Sequence, residues 1–444
     1  MKRSFLKILS NWKDHPLRKP LIVRGARQVG KTFIIEAFGR QQFKNLVSIN
    51  LEQSPVFQKC FEDLDPRSIV NQIEILSNEK ITPGSTLVFF DEIQQCPNAI
   101  KSLRYFKEQL PELHVIAAGS LLEFAIKDED FSFPVGRIQF AKLYPLSFAE
   151  FLEAKNDLSL LESLSSYDLN KLPPKAIHDH CLAKLEEYFI VGGMPASIMA
   201  FLKTNSYLEA KYVQKSLWDA FEADFGKYST KTQHRYLKKL FEEGPKLIGT
   251  QVKYSKIDPE LPNPSRDMKL AIELLRLAGL LHPITATSAG GVPLLKGVKQ
   301  SIFKLLFLDI GLVEQVMNID PQNPDLLTGP LSEQFVGQEI LAYSDPLLDE
   351  RLFFWIREKP NSSAEVDYII EYKGVIFPLE VKAGKAGKLK SLRVFTEEKK
   401  SPFAIRISQD ELGFEKGVLS IPLYMISQMH RLIAQALDTT NSEN

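Results

Sequence analysis

Residues 25–32 read Gly25-Ala26-Arg27-Gln28-Val29-Gly30-Lys31-Thr32, a fit to GxxxxGK[ST]. The run follows an apolar segment, Pro20 to Arg24, and precedes a helical pattern in Phe33, Ile34, Ala37 and Phe38. A strand, a glycine-rich turn and a helix are the context this motif requires. There the loop's backbone N–H groups and the start of the next helix form a cup of partial positive charge that suits a triphosphate. Lys31 adds a full charge, the Thr32 hydroxyl can reach Mg²⁺, and Phe33 follows directly on the cup. The expected ligands are ATP or ADP with Mg²⁺, and the expected cofactor contacts are Gly25, Ala26, Arg27, Gln28, Val29, Gly30, Lys31, Thr32 and Phe33.

The first 150 residues alternate short apolar runs with helical patterns, as a parallel α/β sheet requires. The runs are Pro20 to Arg24, Leu46 to Leu51, Thr86 to Phe90, His114 to Ala118 and Arg137 to Leu143, enough for five strands. The third ends in Asp91-Glu92, on what is expected to be the strand adjoining the phosphate loop. Asp91 would join Thr32 in the Mg²⁺ shell, and Glu92 would orient or polarise the attacking water. The fourth run ends in Gly119-Ser120, where P-loop ATPases of the AAA+ type place a polar sensor beside the γ-phosphate, although Ser120 also suits a helix N-cap. Arg137 opens the fifth and could serve a γ-phosphate in its own subunit or in a neighbouring one, or be a plain surface arginine.

A chain of 444 residues exceeds one core, on the usual scale of roughly 100–200 residues per domain. Hydrophobic residues make up 44% and charged residues 25%, ordinary for a globular protein, and no apolar stretch of about 18 residues suggests a membrane span. At the N-terminus Phe5, Leu6, Ile8, Leu9 and Trp12 recur at helical spacing, while Lys7, Asn11, Lys13 and Asp14 break any signal-peptide core. Cys60, Cys96 and Cys181 are scattered, without metal-ligand spacing, and suit a reducing cytoplasm. The formal net charge is zero, yet residues 203–304 hold 17 Lys and Arg against 10 Asp and Glu. Such an excess fits either a DNA-facing segment or a merely basic surface.

Downstream of a core at 1–150, residues 151–230 read as a helical lid and connector, broken by the turn Gly192-Gly193-Met194-Pro195. In that turn Gly193 and Pro195 could pack on the adenine, or only break a helix. Residues 231–320 combine a helix near Thr232 to Leu247, a Pro-rich turn at 259–264, a helix from Ser265 to Ala278 and two strand-like runs, the order of a winged-helix module. Residues 325–444 return to an α/β pattern. There Glu333 lies on a helix, Asp367 in a strand, and Glu380 and Lys382 two apart on one face of the next strand. Two carboxylates and a lysine so grouped suit metal-assisted phosphodiester hydrolysis, the constellation of PD-(D/E)XK nucleases. Glu339, six residues from Glu333, is an alternative first carboxylate, and Lys385, Lys388, Lys390 and Arg393 add a basic stretch after the site.

Taken together, these residues resemble a large family of prokaryotic AAA+-like P-loop ATPases with a C-terminal domain of unknown function and nuclease-like fold. The resemblance rests on residues 25–32, Asp91-Glu92-Ile93-Gln94, Gly136-Arg137, Tyr144-Pro145-Leu146-Ser147-Phe148, Gly192-Gly193-Met194-Pro195, Asp309-Ile310-Gly311-Leu312, Glu365-Val366-Asp367 and Glu380-Val381-Lys382. It implies an ATP-binding core, a winged-helix segment and a restriction-endonuclease-like C-terminal domain. No second sensor arginine stands out in the lid. Two functions follow as expectations: an ATPase whose nucleotide state moves these later segments on DNA, or a nucleotide-gated scaffold for a protein partner with an inactive nuclease-like domain. A homo-oligomer would be needed only if Arg137 acts in trans.

Overall fold

The computed structural model describes residues 3–120, 122, 136–227, 229–257, 264–319, 327–358, 364–383 and 389–443. The chain divides into two compact units. One comprises Met1–Pro145 with the short pieces Leu277–Gly279 and Ser344–Asp349; the other comprises Leu146–Arg276, Leu280–Tyr343 and Glu350–Asn444.

In the first unit, strands β1 (Leu21–Arg24), β2 (Asn45–Asn50), β3 (Thr86–Asp91), β4 (His114–Ala118) and β5 (Gln139–Lys142) form one sheet in the order β2-β3-β4-β1-β5, and every pairing is parallel. The inner strands β3 and β4 are buried along their whole length and β1 over Leu21 to Val23, whereas the edge strands β2 and β5 are only partly buried. That is why the inner strands read as unbroken apolar runs: both faces are covered. Helices α1 (Phe5–Asp14), α2 (Lys31–Gln42), α3 (Pro66–Ser77) and α4 (Pro97–Gln109) complete the layers. The amphipathic first helix buries Phe5, Leu9 and Trp12. Cys60 and Cys96 lie in a core with Phe61, Phe90 and Phe106, and all three cysteines are buried free thiols.

The second unit begins with helices at Phe148–Ala154, Leu158–Ser166, Lys175–Val191, Pro195–Thr204 and Tyr207–Asp224, the run expected of a lid or connector. Helices Lys231–Glu243 and Pro264–Leu277 precede the antiparallel strands β6 (Leu281–Thr287) and β7 (Val298–Phe307). The Pro-rich turn falls largely at 258–263, outside the described residues.

The hairpin is not an isolated two-stranded wing. Strand β6 also pairs in parallel with β8 (Phe353–Ile356), which pairs with β9 (Glu365–Val366), giving the four-stranded order β7-β6-β8-β9. One sheet therefore crosses the boundary expected between 320 and 325. The cause is that β6 has a second hydrogen-bonding edge, which the sequence fills with the apolar Phe353-Phe354-Trp355 run.

A third sheet, in the order β10-β11-β12-β14-β13, contains β10 (Tyr368–Tyr372), β11 (Val375–Lys382), β12 (Ala404–Ser408), β13 (Gly413–Glu415) and β14 (Val418–Pro422). Strands β10 and β11 form a hairpin through Lys373 and Gly374, both at positive φ (50° and 80°), the geometry of a tight two-residue turn. The strand expected to carry Asp367 instead splits at that residue, its halves joining different sheets. Of the basic stretch, Lys385 and Lys388 lie outside the described residues, while Lys390 and Arg393 sit on the helix Lys390–Lys399. No single helix among the described residues is long and apolar enough to cross a membrane.

Candidate functional site

The phosphate loop leaves β1 and turns into α2 through positive φ at Gly25 (144°), Gln28 (63°) and Gly30 (94°). Gly25 is required sterically as well, because a Cβ there would stand 2.3 Å from the carbonyl oxygen of Leu143. Lys31 is the first residue of α2, and its buried ammonium donates to the carbonyls of Gly25 (2.9 Å) and Ala26 (2.8 Å). Burial pushes this group down to about 8, against the pull of Glu92 and Asp91.

Strand β4 lies between β1 and β3, so Asp91 is not on the strand adjoining the loop as expected. It reaches the site because α2 brings Thr32 to it: Thr32 Oγ1 donates to Asp91 Oδ2 at 2.8 Å. Asp91 is 5% exposed, and burial raises its carboxyl above the usual range. A hydroxyl and an acceptor-only carboxylate at this separation, beside a buried ammonium, are a donor set that fits a magnesium-bound triphosphate.

Glu92 follows with φ 50°, a left-handed conformation uncommon for a residue with a side chain, and its N–H donates to Asp91 Oδ1 (3.1 Å). Gln94 Nε2 donates to Glu92 Oε2, while Gln94 Oε1 is buried with no hydrogen-bond partner among the described residues. At the end of β4, Ser120 is buried and accepts from Arg27 Nε at 3.3 Å, which ties the loop to the end of that strand. Phe33 is 61% exposed just past the loop. Sequence reasoning missed Asn50, whose Nδ2 donates to Asp91 Oδ2 at 3.4 Å, and Gln94. For Asn50 the signal was a polar residue at the end of an apolar strand, and Gln94 stood inside the Asp91-Glu92-Ile93-Gln94 motif without a role of its own.

Arg137 does not belong to this cluster in its own subunit. It precedes β5 at the amino end of the sheet, where Gln139 is level with Leu21, and it pairs with Glu108 at 2.8 Å. At about 3.3 Å per residue it lies roughly 20 Å along the strands from Gly25, beyond the reach of one side chain.

Gly193 and Pro195 are found in the second unit. The N–H of Gly193 is taken by Asp309 Oδ2 and its carbonyl by the N–H of Leu146 (2.8 Å); Pro195 is the first residue of a helix. The turn is thus a bolt between segments rather than a free rim. Asp309 is fully buried, also caps the helix Ile310–Met317 through the N–H of Leu312 (3.3 Å), and burial raises it to about 6. Gly311 permits the approach, since a Cβ there would be 2.8 Å from the Cα of Gly192.

The C-terminal residues converge, with an unexpected member. Lys304, 1% exposed on β7, has its ammonium 2.8 Å from Glu333 Oε1, 2.6 Å from Glu365 Oε1 and 3.2 Å from Asp367 Oδ1. Burial works against its charge, yet these three carboxylates hold it protonated well above the usual lysine range. Burial and then Asp367 raise Glu333 to about 8 and Glu380 to about 7. Asp367 Oδ2 accepts the N–H of Val381 (2.9 Å), and Lys382 pairs with Glu380 on their shared strand face. Glu339 is not part of this cluster: it accepts the N–H of Phe148 at 3.1 Å. Lys304 had one sequence signal, a lysine inside the apolar run Ile302-Phe303-Lys304-Leu305-Leu306-Phe307.

Residues 17–152 match the AAA domain family, residues 182–323 match a domain of unknown function (DUF8612), and residues 328–426 match another (DUF4143). The N-terminal part is therefore similar to the AAA domain family, and it carries a five-stranded parallel sheet. A comparison with curated proteins gives no match. Among solved structures, the Aeropyrum pernix ORC2 protein in ADPNP and ADP complexes is 12% identical, with a TM-score of 0.36 over 71% of this chain and 90% of that one. The Aeropyrum pernix ORC1 protein in complex with DNA is 12% identical, with a TM-score of 0.28 over 71% and 91%. The Thermotoga maritima RuvB Holliday junction branch migration motor is 15% identical, with a TM-score of 0.28 over 62% and 86%. At these scores the likenesses are partial.

Proposed function

We propose that this chain binds ATP with Mg²⁺ and hydrolyses it at the phosphate loop, and that the nucleotide state controls a second unit acting on DNA. The observation that carries the reading is the meeting of Thr32 and Asp91 at 2.8 Å beside the Lys31 ammonium. The loop amides and Lys31 bind and orient the triphosphate, and Glu92 takes the proton of the attacking water. Ser120, linked to Arg27, contacts the γ-phosphate. Mg²⁺ would be held by Thr32 and Asp91 and would neutralise phosphate charge there. Arg137 serves this site only if a second copy presents it.

The basic excess in residues 203–304 supports DNA as the partner. Residues 325–444 are read as a nuclease-like α/β domain, and the cytoplasm is the proposed location. A second reading, a nucleotide-gated scaffold with an inactive nuclease-like domain, is favoured by the lysine among its carboxylates.

Duplex DNA binding by fluorescence anisotropy, with and without ATP, separates the two. The DNA reading expects binding that weakens about tenfold for every two phosphates contacted between roughly 50 and 200 mM salt. No salt-sensitive binding in either nucleotide state sinks it and leaves the scaffold.

A further inference from the structure

A PD-(D/E)XK fold implies a divalent metal held by the acids at its centre. Here a lysine side chain stands among three acids of this centre, Glu333, Glu365 and Asp367. The three N–H bonds of the Lys304 ammonium are matched by three carboxylates from two further segments: Glu333 on the helix Gly329–Tyr343, and Glu365 and Asp367 on either side of the bend between β9 and β10. Two of the remaining oxygens are also engaged, while Glu380 Oε2, on the neighbouring strand, is buried with no hydrogen-bond partner among the described residues. Glu365 Oε2 accepts from Gln251 Nε2, and Asp367 Oδ2 accepts the N–H of Val381. Among the described residues no group of three or more Asp, Glu, His or Cys side chains is disposed to hold a metal ion. A divalent ion entering here would have to expel an ammonium that is 1% exposed, leaving a buried lysine without its counter-charges.

We infer that Lys304 stands in place of the divalent cation, and that the nuclease-like centre is a lysine-bridged clasp that binds no catalytic metal. The clasp fastens strand β7 to the helix Gly329–Tyr343 and to the bend at Asp367. Its neighbours have the same character: Tyr368 donates its hydroxyl to the Glu333 carbonyl (2.9 Å), and the Phe354 ring lies 5.3 Å from the ammonium. The acids that would hold a metal in a nuclease therefore hold one chain segment to another, and the second unit engages its partner without metal-dependent phosphodiester cleavage. This inference does not rest on the nucleotide reading, which concerns other residues.

Mn²⁺ titration of the nucleotide-free full-length chain, read by electron paramagnetic resonance, is the test, with Asp91→Asn present throughout to silence the phosphate-loop site. With Lys304 intact, no saturable Mn²⁺ site is expected. Lys304→Gln removes the ammonium and keeps the acids, so it is expected to gain one Mn²⁺ equivalent and a melting temperature that rises with Mn²⁺. Adding Asp367→Asn should abolish both gains. One Mn²⁺ bound with Lys304 intact and lost in Asp367→Asn overturns the inference. So does Mn²⁺-dependent nicking of plasmid DNA that Asp367→Asn removes, a readout that does not depend on whether Lys304→Gln folds. A folded Lys304→Gln protein that still takes up no Mn²⁺ counts equally against it.

Discussion

Lys31→Ala is expected to lower ATP turnover by at least ~100-fold, the usual loss when one preorganised positive group is taken from a developing oxyanion. The side chain cannot be replaced by its surroundings. Its ammonium is 6% exposed, it lies against the Gly25 and Ala26 carbonyls, and the Thr32–Asp91 pair is its neighbour at the start of α2. The loop shape itself is held by other means: positive φ at Gly25, Gln28 and Gly30, and Arg3, which donates to the Val29 carbonyl (3.3 Å) and the Tyr144 carbonyl (2.6 Å). The variant should therefore fold, keep the wild-type far-ultraviolet circular dichroism and lose phosphate release. Turnover at the wild-type rate by folded Lys31→Ala protein would remove the phosphate loop from the mechanism.

Asp309→Ala should produce the largest loss of stability in the second unit. Its carboxylate accepts from Gly193 N–H and Leu312 N–H inside a closed contact where Gly192 and Gly311 touch. Removing it deletes a helix cap and leaves buried donors without an acceptor, about 3 kcal/mol together. For a unit of this size that lowers the melting temperature by roughly 5 °C. Differential scanning calorimetry measures it; a shift of less than a degree or two would mean that the bolt carries no load.

How legible the chain was differs from element to element. The five strands of the first unit could be read because the inner ones are covered on both faces, which leaves uninterrupted apolar runs. The loop could be read because its chemistry is local in sequence. Strand order could not, so the placement of β4 between β1 and β3 came as a difference. The helix Gly329–Tyr343 shows the opposite limit. It buries Ser332, Glu333, Gln334, Gln338 and Glu339 together with Leu331, Phe335, Val336 and Leu341, so it is covered all round and shows no single apolar stripe. Gln334 brackets both backbone groups of Phe307, and Gln338 accepts the N–H of Ile310 (2.8 Å). Such a helix advertises acids that look catalytic from sequence, and only the fold reveals that Glu333 meets Lys304 and Glu339 meets Phe148. The same reason governs Gly193: a Gly-Gly-Met-Pro turn reads equally well as a ligand rim or a bolt until Asp309, 116 residues away, is seen to take its N–H.

In the proposed reaction one carboxylate divides binding from hydrolysis. Glu92 sits one residue past the acid that meets Thr32, and its own amide bonds to Asp91. Glu92→Gln keeps the shape and removes the base, so paired titrations of Mg–ATP affinity and phosphate release should find affinity preserved and hydrolysis slowed roughly 10²–10⁴-fold. Hydrolysis undiminished in Glu92→Gln, or a wild-type chain that takes up no Mg–ATP, would contradict the assignment of this cluster as an ATP-hydrolysing centre.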